Sequence, residues 1–311
     1  MLLCAGEALI DMLPRLTEGG EAAFAPHAGG SVFNTAVAAG RLGLATRFFS
    51  GLSTDLFGAR LASVLAQSGV DAGLCARADR PTTLAFVTLT DGQASYAFYD
   101  ENTAGRMLSV ADLPTLAPEI GAVFFGGISL AVEPCAEAYA TLAARAAADR
   151  LVMIDPNIRP GFIADEARYR ARMAGMLAVA DVVKLSDEDL TWLMGAGEIA
   201  ARAQALLQQG PALVLVTQGA DGVSAFGAGA ARKVAAQRVA VVDTVGAGDT
   251  FNAGFLAGLA DAGALDKAAV RAGLPASVLD AALALGVQAA AVTVSRAGAN
   301  PPWREELACA H

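Results

Sequence analysis

The sequence has few of the residues that several common classes of protein require. It contains two histidines, His27 and His311, and four cysteines, none of which forms a C-x-x-C pair. Histidine clusters and paired cysteines are the usual zinc ligands, and regularly spaced cysteines are typical of disulfide-rich secreted domains. A multi-histidine metal centre is therefore excluded, and we expect reduced thiols in a cytoplasmic protein.

Positive charge is also scarce. The 311 residues include 22 Lys and Arg against 31 Asp and Glu, which gives a net charge of −9, and no basic stripe is present. Because nucleic-acid-binding proteins neutralise phosphates with clustered Lys and Arg, we expect no nucleic-acid partner. An acidic protein that binds a nucleotide must supply positive potential locally, from a few basic side chains, backbone N–H groups and helix N-termini.

Several sequence signals are missing as well. There is no G-x-x-x-x-G-K-[ST] loop, no G-x-G-x-x-G after the first strand and no G-x-S-x-G elbow, which disfavours P-loop NTPases, Rossmann dehydrogenases and serine hydrolases. The N-terminus has no basic region before Glu7, so a core strand is predicted there rather than a signal peptide. The one long apolar run, rich in alanine and near the C-terminus, predicts a packed core helix and no membrane association.

Hydrophobic residues make up 55% of the chain, which is sufficient for a large buried core. Short β-branched runs alternate with Ala- and Leu-rich runs. This order predicts an α/β fold with a mostly parallel sheet covered by helices, in which ligands bind beyond the carboxyl ends of the strands. The predicted strands are 2–5, 122–125, 151–154, 182–185, 213–216 and 238–242, and the predicted helices are 32–42, 61–67, 134–149 and 251–260.

One segment departs from this alternation. Two β-rich runs, Thr82–Thr90 and Gln93–Tyr99, are joined by the dipeptide Asp91–Gly92, which is a strong hairpin signal. Because a lone hairpin is only marginally stable, we expect residues 11–26 to supply further strands. The prediction is a single domain over residues 1–311, with lid segments at about 11–27 and 82–104 that cover the sheet edge. A plain edge hairpin is the alternative.

The most informative motif is DTVGAGDTFNAG at residues 243–254, between a strand-like and a helix-like run. Gly246, Ala247 and Gly248 let backbone N–H groups approach a ligand closely, and the following helix adds its positive dipole end. This arrangement suits a phosphoryl group in transfer. Asp249, at the mouth of the helix, would accept a hydroxyl proton. An ordinary N-cap role is the alternative.

Two shorter motifs place polar groups where a ligand would lie. Gly29-Gly30 opens a helix that carries Asn34, whose amide can donate to and accept from hydroxyls. The segment Asp155–Arg159 follows a predicted strand, and Arg159 suits a phosphate or a carboxylate. For the first motif, the alternative is a plain glycine turn with a capping Asn. For the second motif, the alternative is a turn with a surface salt bridge.

Together, G-G-x-x-x-N near the start and D-T-x-G-A-G-D-[ST]-F near the end resemble the two signatures of the ribokinase-like (PfkB) carbohydrate kinases. The resemblance covers nearly the whole chain. It implies a three-layer α/β sandwich with a mostly parallel central sheet and a small β lid. It also implies transfer of the ATP γ-phosphate to a sugar hydroxyl, with Mg²⁺ accompanying ATP and held mainly by phosphates and waters.

The resemblance further implies roles for individual residues. Asp249 matches the catalytic base, and Gly246, Ala247 and Gly248 match the anion hole. The implied sugar-binding residues are Asp11, Gly29, Gly30, Asn34, Phe98 and Arg159. The implied nucleotide-binding residues are Lys184, Thr217, Gly219, Gly222 and Gln288. The implied site for a monovalent cation, K⁺, comprises Asp243, Val245 and Gly298.

One departure from the family pattern concerns the nucleotide metal. Many relatives carry N-x-x-E where this chain has Ser186 and Asp189 at the matching positions, which puts the metal–water contacts there in doubt.

The acceptor sugar is less closely defined. The segments around Glu7, 83–89, 98–99 and 155–160 are most similar to bacterial fructokinases. A 2-keto-3-deoxygluconate kinase, with Arg159 on the substrate carboxylate, is the alternative. A non-catalytic sugar- or nucleotide-binding regulator is the alternative from another class. An exposed lid strand makes a homodimer through the lid plausible.

Overall fold

The computed structural model describes the backbone of residues 1–90, 93–229 and 231–308, and their side chains except those of 88–90, 93–96 and 308. The strands are β1 Leu2–Ala5, β2 Leu9–Leu16, β3 Ala22–Gly29, β4 Thr46–Phe49, β5 Gly51–Ser53, β6 Val70–Asp71, β7 Ala76–Ala78, β8 Leu84–Thr90, β9 Gln93–Tyr99, β10 Ala122–Gly126, β11 Leu151–Asp155, β12 Val182–Ser186, β13 Leu213–Thr217, β14 Val223–Gly227 and β15 Arg232–Val234. The helices are α1 Ser31–Arg41, α2 Leu56–Gln67, α3 Cys135–Ala146, α4 Glu166–Val179, α5 Asp187–Met194, α6 Ile199–Leu207, α7 Ala247–Asp261, α8 Lys267–Ala272, α9 Ala276–Val294 and α10 Arg304–Ala308.

The central sheet has nine strands in the order β15-β14-β13-β12-β11-β10-β1-β4-β6. Pairing is parallel from β13 to β6 and antiparallel at β14 and β15. The chain starts in β1, builds β4 and β6 on one side, and then crosses to β10 on the other. This reversal of direction creates a crevice beyond the carboxyl ends of β1 and β10, where open α/β sheets bind ligands.

Helices cover both faces of this sheet. Alternate residues of β1 belong to different cores, with Leu2 and Cys4 in one cluster and Leu3 and Ala5 in the other. The first cluster contains side chains of α1, α7 and α9, and the second contains those of α3, α4 and α6. The mostly parallel sheet expected from the strand and helix alternation, and the three-layer α/β sandwich implied by the resemblance, are confirmed.

A separate four-stranded sheet has the order β3-β2-β8-β9. The β8–β9 hairpin pairs Leu84 with Tyr99 through to Thr90 with Gln93, in antiparallel register. The predicted Asp91–Gly92 turn lies outside the described residues. Strands β2 and β3 pair in antiparallel register from Leu9 with Gly29 to Leu16 with Ala22, so the small β sheet expected beside the main one is present.

Some predicted element bounds were wrong. Residues 238–242 form no strand, although they are rich in valine. The N–H groups of Val242 and Asp243 instead donate to the carbonyl of Val294, and the side chains of Val241 and Val242 are more than half exposed. Branched side chains favour strands only where a neighbouring strand and a buried face are available. Helix α2 also begins five residues earlier than expected, at Leu56, because Asp55 accepts from the Gly58 N–H as its N-cap.

Helices α7 and α9 pack closely against each other through glycines. A Cβ atom added at Gly258 would lie 2.6 Å from the Cα of Ala282, and one at Gly254 would lie 2.7 Å from the Cα of Gly286. By length and composition alone α9 is apolar enough to cross a membrane, but its Ala282, Leu283 and neighbouring residues are buried against α7. The helix expected from the alanine-rich run is therefore packed in the core.

This packing predicts that Gly258→Ala destabilises the protein, because the new methyl group overlaps the α9 backbone. We expect a loss of about 1–3 kcal/mol in unfolding free energy. Gly175→Ala is the matched control, since Gly175 lies exposed in the middle of α4 with no atom within 4 Å of an added Cβ. The control should gain up to about 1 kcal/mol. Chemical denaturation measures both, and equal effects would contradict the packing argument.

Candidate active site

The turn into α7 presents backbone donors at the carboxyl edge of the sheet. Gly246 precedes the helix with φ 78°, and a Cβ there would lie 2.7 Å from that of Ala299, so only glycine fits. Among the described residues, the hydrogen bonds include no acceptor for the N–H groups of Gly248 and Asp249. Two donors of this kind at a helix N-terminus can hold an anion, which is the role predicted for residues 246–248.

Asp249 is the third residue of α7, and its carboxylate does not cap the helix. The alternative role of an ordinary N-cap is therefore wrong. Its side chain is buried, and its Oδ2 accepts a hydrogen bond of 3.0 Å from the Asn34 amide. Burial raises the pKa of Asp249 to about 7, and the nearby Asp155 adds to this, while the Asn34 bond and Lys184 lower it. A carboxylate with this pKa can exchange protons near neutral pH.

The predicted sugar-binding residues of the first motif lie together next to Asp249. Gly29 ends β3 against Asp11, and a Cβ at Gly29 would overlap the Asp11 carboxylate. Gly30 has φ 107° and starts α1, whose first turn carries Asn34. Burial raises the pKa of Asp11 to about 6. The structure thus brings two carboxylates, two glycines and one amide to one wall of the crevice.

Glu7 is a buried residue of this wall for which no sequence motif predicted a role. Gly30, the N-cap of α1, provides no side-chain cap. Oε1 of Glu7 instead accepts from the Ser31 N–H at 2.8 Å, and Oε2 accepts from the Ser129 N–H at 3.3 Å. Burial raises the pKa of Glu7, and these backbone bonds oppose the rise. Glu7 therefore joins the start of α1 to the loop after β10.

A second buried polar group lies under the α7 turn. Lys184 of β12 donates to Oδ2 of Asp155, at the end of β11, over 2.9 Å. Asn252 of α7 donates to the same oxygen over 2.7 Å. All three side chains are buried. Lys184 is one of the residues implied to bind the nucleotide, and its ammonium lies next to the predicted anion hole.

Phe98 lies in β9, and Arg159 lies in the loop after β11. The Phe98 ring packs edge-on against Phe162, with 4.1 Å between centroids, which connects β9 to the loop after β11. Arg159 is exposed, and its guanidinium donates to the carbonyl of Ile158. Beyond the two aromatic rings is a cavity of about 540 Å³, and Asp249 is not among its lining residues.

Ser186 and Asp189, which depart from the family pattern, have structural partners. Each side chain accepts from the backbone N–H of the other in a capping box at the start of α5. The other Asp189 oxygen accepts from the Ile158 N–H at 2.9 Å. This carboxylate therefore helps to hold the loop that carries Arg159.

Apart from Lys184, the predicted nucleotide-binding residues lie at the end of β13, in the turn that follows it and in α9. Thr217 ends β13 and donates to the Leu185 carbonyl. Gly219 and Gly222, with φ 52° and 90°, form the turn into β14, and a Cβ at Gly222 would meet the Val234 carbonyl at 2.0 Å. The Gln288 amide donates to the carbonyl of Leu307 in α10. Gly222 thus lets this turn pack closely against the end of β15, while the Gln288 amide is hydrogen-bonded within the protein.

The three residues predicted to bind a monovalent cation also lie together. The Asp243 carboxylate accepts from the N–H of Val245 at 3.0 Å and from that of Gly298 at 2.9 Å. It connects the loop after α9 to the turn before α7, next to the anion hole. Within the described residues, no group of three or more His, Cys, Asp or Glu side chains could hold a metal ion.

The fold and the arrangement of this site are accompanied by a match to one known protein family. Residues 1–306 match the family model described as the pfkB family carbohydrate kinase. The chain belongs to this family and is a sugar kinase. A curated relative, a fructokinase of Rhizobium leguminosarum bv. trifolii, is 54% identical over 259 residues, which cover 83% of this chain and 79% of the relative. The resemblance to fructokinases found in the sequence is confirmed.

Solved structures of sugar kinases are similar to this chain as well. The fructokinase of Xylella fastidiosa with bound ATP has a TM-score of 0.90 and 33% identity, and the match covers 99% of this chain and 97% of that one. A double mutant of the Vibrio cholerae O395 fructokinase, with fructose, ADP and potassium ion bound, has a TM-score of 0.87 and 25% identity, with the same coverage. The fold is therefore that of a fructokinase-like sugar kinase along the whole chain.

Proposed function

We propose that this protein transfers the γ-phosphate of ATP to a hydroxyl of fructose, with Asp249 as the general base. The observation that carries the proposal is the buried Asp249 carboxylate, bonded to Asn34 on the sugar side and adjacent to two free N–H groups on the phosphate side. A hydroxyl held between these two sides would have its proton acceptor and its phosphoryl donor in place together.

The proposed reaction is a single displacement. The sugar hydroxyl oxygen attacks the γ-phosphorus, the bond from that phosphorus to the ADP oxygen breaks, and the hydroxyl proton passes to the Asp249 carboxylate. The N–H groups of Gly248 and Asp249 and the positive end of α7 stabilise the negative charge on the phosphoryl oxygens. Ala247 and Gly246 shape this turn, so the four residues act as one unit.

Two observations favour fructose as the acceptor. The relative with 54% identity is named a fructokinase, and a structural neighbour contains bound fructose. We propose that Asp11, Gly29, Gly30 and Asn34 bind its hydroxyls, since all four line the wall next to Asp249. Arg159 is the observation that favours the second candidate, a 2-keto-3-deoxygluconate kinase, because an exposed guanidinium without an acidic partner in the described residues suits a substrate carboxylate.

Two cations are proposed with the nucleotide. Mg²⁺ fits as an ion held by ATP phosphates and waters, because the nearby Asp189 already accepts two backbone N–H bonds. K⁺ fits near Asp243, Val245 and Gly298, where a carboxylate joins two loops beside the anion hole. We propose that Lys184, Thr217, Gly219, Gly222 and Gln288 bind the nucleotide. Bound Mg²⁺ supplies charge neutralisation of the phosphates.

The test is ADP release with Mg-ATP and K⁺, measured for fructose, 2-keto-3-deoxygluconate, ribose and adenosine. We expect turnover on fructose, with kcat falling below about pH 7 because protonated Asp249 cannot accept a proton. Asp249→Asn should lower kcat by about 10²–10⁴-fold. It should leave fructose binding measurable by calorimetry, since the Asn oxygen still accepts from Asn34. Turnover on the keto acid alone would favour the second candidate. Near-full activity of Asp249→Asn would overturn the base assignment.

We further propose a cytoplasmic homodimer that forms through the four-stranded sheet, which acts as a lid. Three large hydrophobic side chains of this sheet are exposed, and their exposed fractions are 75% for Leu16, 44% for Phe24 and 63% for Tyr99. Phe86 contacts both Phe24 and Tyr99, with centroid distances of 5.0 and 5.3 Å, so the aromatic rings form a continuous row. An apolar row on an exposed sheet is a typical interaction surface.

Sedimentation analysis tests this interface. We expect the wild-type protein to sediment as a dimer and Tyr99→Glu to sediment as a monomer, because a charge in the aromatic row would be buried without a partner. Val110→Glu is the control, since Val110 is 39% exposed and lies outside this sheet. A monomeric wild-type protein, or equal behaviour of the two variants, would contradict the proposal.

A further inference from the structure

Asp155 lies at the centre of the buried polar group under the α7 turn. It is the last residue of β11 and is fully buried. Its Oδ2 accepts hydrogen bonds from Lys184 of β12 and Asn252 of α7, and its Oδ1 accepts from the Asn157 N–H at 3.3 Å. One carboxylate therefore connects two sheet strands to the helix that carries Asp249.

The ammonium of Lys184 is close to the backbone of the predicted anion hole. A Cβ added at Gly248 would lie 2.9 Å from its Nζ. An ammonium beside a helix N-terminus is electrostatically unfavourable, because both carry positive charge. In the described residues, Asp155 is the one hydrogen-bond partner of this Nζ, which leaves two of its three N–H donors without an acceptor.

Stability alone does not account for this arrangement. Burying an ion pair costs several kcal/mol of desolvation, and apolar residues of similar size are often equally stable or more so. The cost here is increased by Oδ1 of Asn252, which is buried without a hydrogen-bond partner. A concentration of positive charge around Gly248 becomes favourable when an anion is present, and a phosphoryl group in transfer is such an anion.

We propose that Asp155 is a positioning residue for phosphoryl transfer. It keeps the Lys184 ammonium buried against the Gly248 backbone, so that the two free N–H donors of Lys184 face the transferred phosphoryl group. Asn252 fixes the Asp155 carboxylate to α7, so the ammonium and the base move as one body. The inference rests on the proposed phosphoryl transfer and adds residues of β11 and α7 that the motif itself does not assign.

The same group also sets the electrostatic environment of Asp249. The groups that act on the pKa of Asp249 are Asn34 and Ser31 from α1, Asp155 from β11 and Lys184 from β12, and the Asp11 carboxylate of β2 lies in the same wall of the crevice. Asp155 and Lys184 shift the pKa of Asp249 in opposite directions. Replacing Asp155 and replacing Lys184 with a neutral residue should therefore shift the pH dependence of catalysis in opposite directions. Loss of packing alone would not have this effect.

The experiment compares pH–kcat profiles of four variants after wild-type turnover on fructose has been established. Absence of wild-type turnover would refute the proposed function itself, and it is distinguishable from an altered pH profile in the variants. Asp155→Asn should lower kcat roughly 10²-fold, the cost typical of a lost charge-stabilising group. It should also shift the acid limb to lower pH, because a negative charge next to Asp249 is removed. Lys184→Met should lower kcat similarly and shift the limb to higher pH.

The remaining two variants make the test robust to misfolding. The double variant Asp155→Asn/Lys184→Met removes both charges, so it should fold, keep the low kcat of Lys184→Met and return the limb towards its wild-type position. Asp181→Asn is the matched control. Asp181 is another fully buried carboxylate, which pairs with Lys267 and Arg271 before β12, at the opposite end of the sheet.

Asp181→Asn should lower the melting temperature and leave the acid limb in place. A limb that stays unmoved in the Asp155 and Lys184 variants, or moves in the same direction in both, would overturn the inference.

Discussion

Burial of carboxylates at one edge of the central sheet is the constraint on which the site depends. Asp249, Asp155 and Glu7 all lie there with almost no exposure. Each needs donors, because an unpaired buried carboxylate is very costly. Asn34 donates a hydrogen bond to Asp249, and both Lys184 and Asn252 donate to Asp155. Backbone N–H groups of α1 and of the loop after β10 donate to Glu7. These bonds cross between elements, so the site is held by the fold as a whole.

The same burial gives Asp249 its chemistry. In water an aspartate has a pKa near 4, too low for an effective base at neutral pH. Removal from water raises the pKa of Asp249 to about 7, and the Asn34 bond limits the rise. The folded state then binds a proton more tightly than the unfolded chain, so the stability that protonated Asp249 contributes is fully present below about pH 4 and is lost as the pH rises to about 7. Function and stability oppose each other at this residue.

Local patterns in the sequence predicted much of the fold and part of the site. Apolar runs such as 122–125 and 151–154 became buried strands, since few alternatives exist for them in a parallel sheet. The Gly246–Asp249 turn was recognisable because its residues are contiguous. Glu7 and Asn252 were missed, because their partners Ser129 and Asp155 are about a hundred residues away in the chain. The valine-rich run 238–242 was wrongly predicted to be a strand, because its residues favour strands but pair with no neighbouring strand in the described structure.

The central claim is that the fold makes Asp249 a base with a pKa near neutrality. Carbon-13 NMR of protein labelled at aspartate carboxyl carbons measures this directly, with Asp249→Asn used to assign the signal. The account predicts a titration midpoint of about 7 for Asp249. A midpoint near the ordinary aspartate value of about 4 would contradict it, because it would show that burial does not control the protonation of this carboxylate.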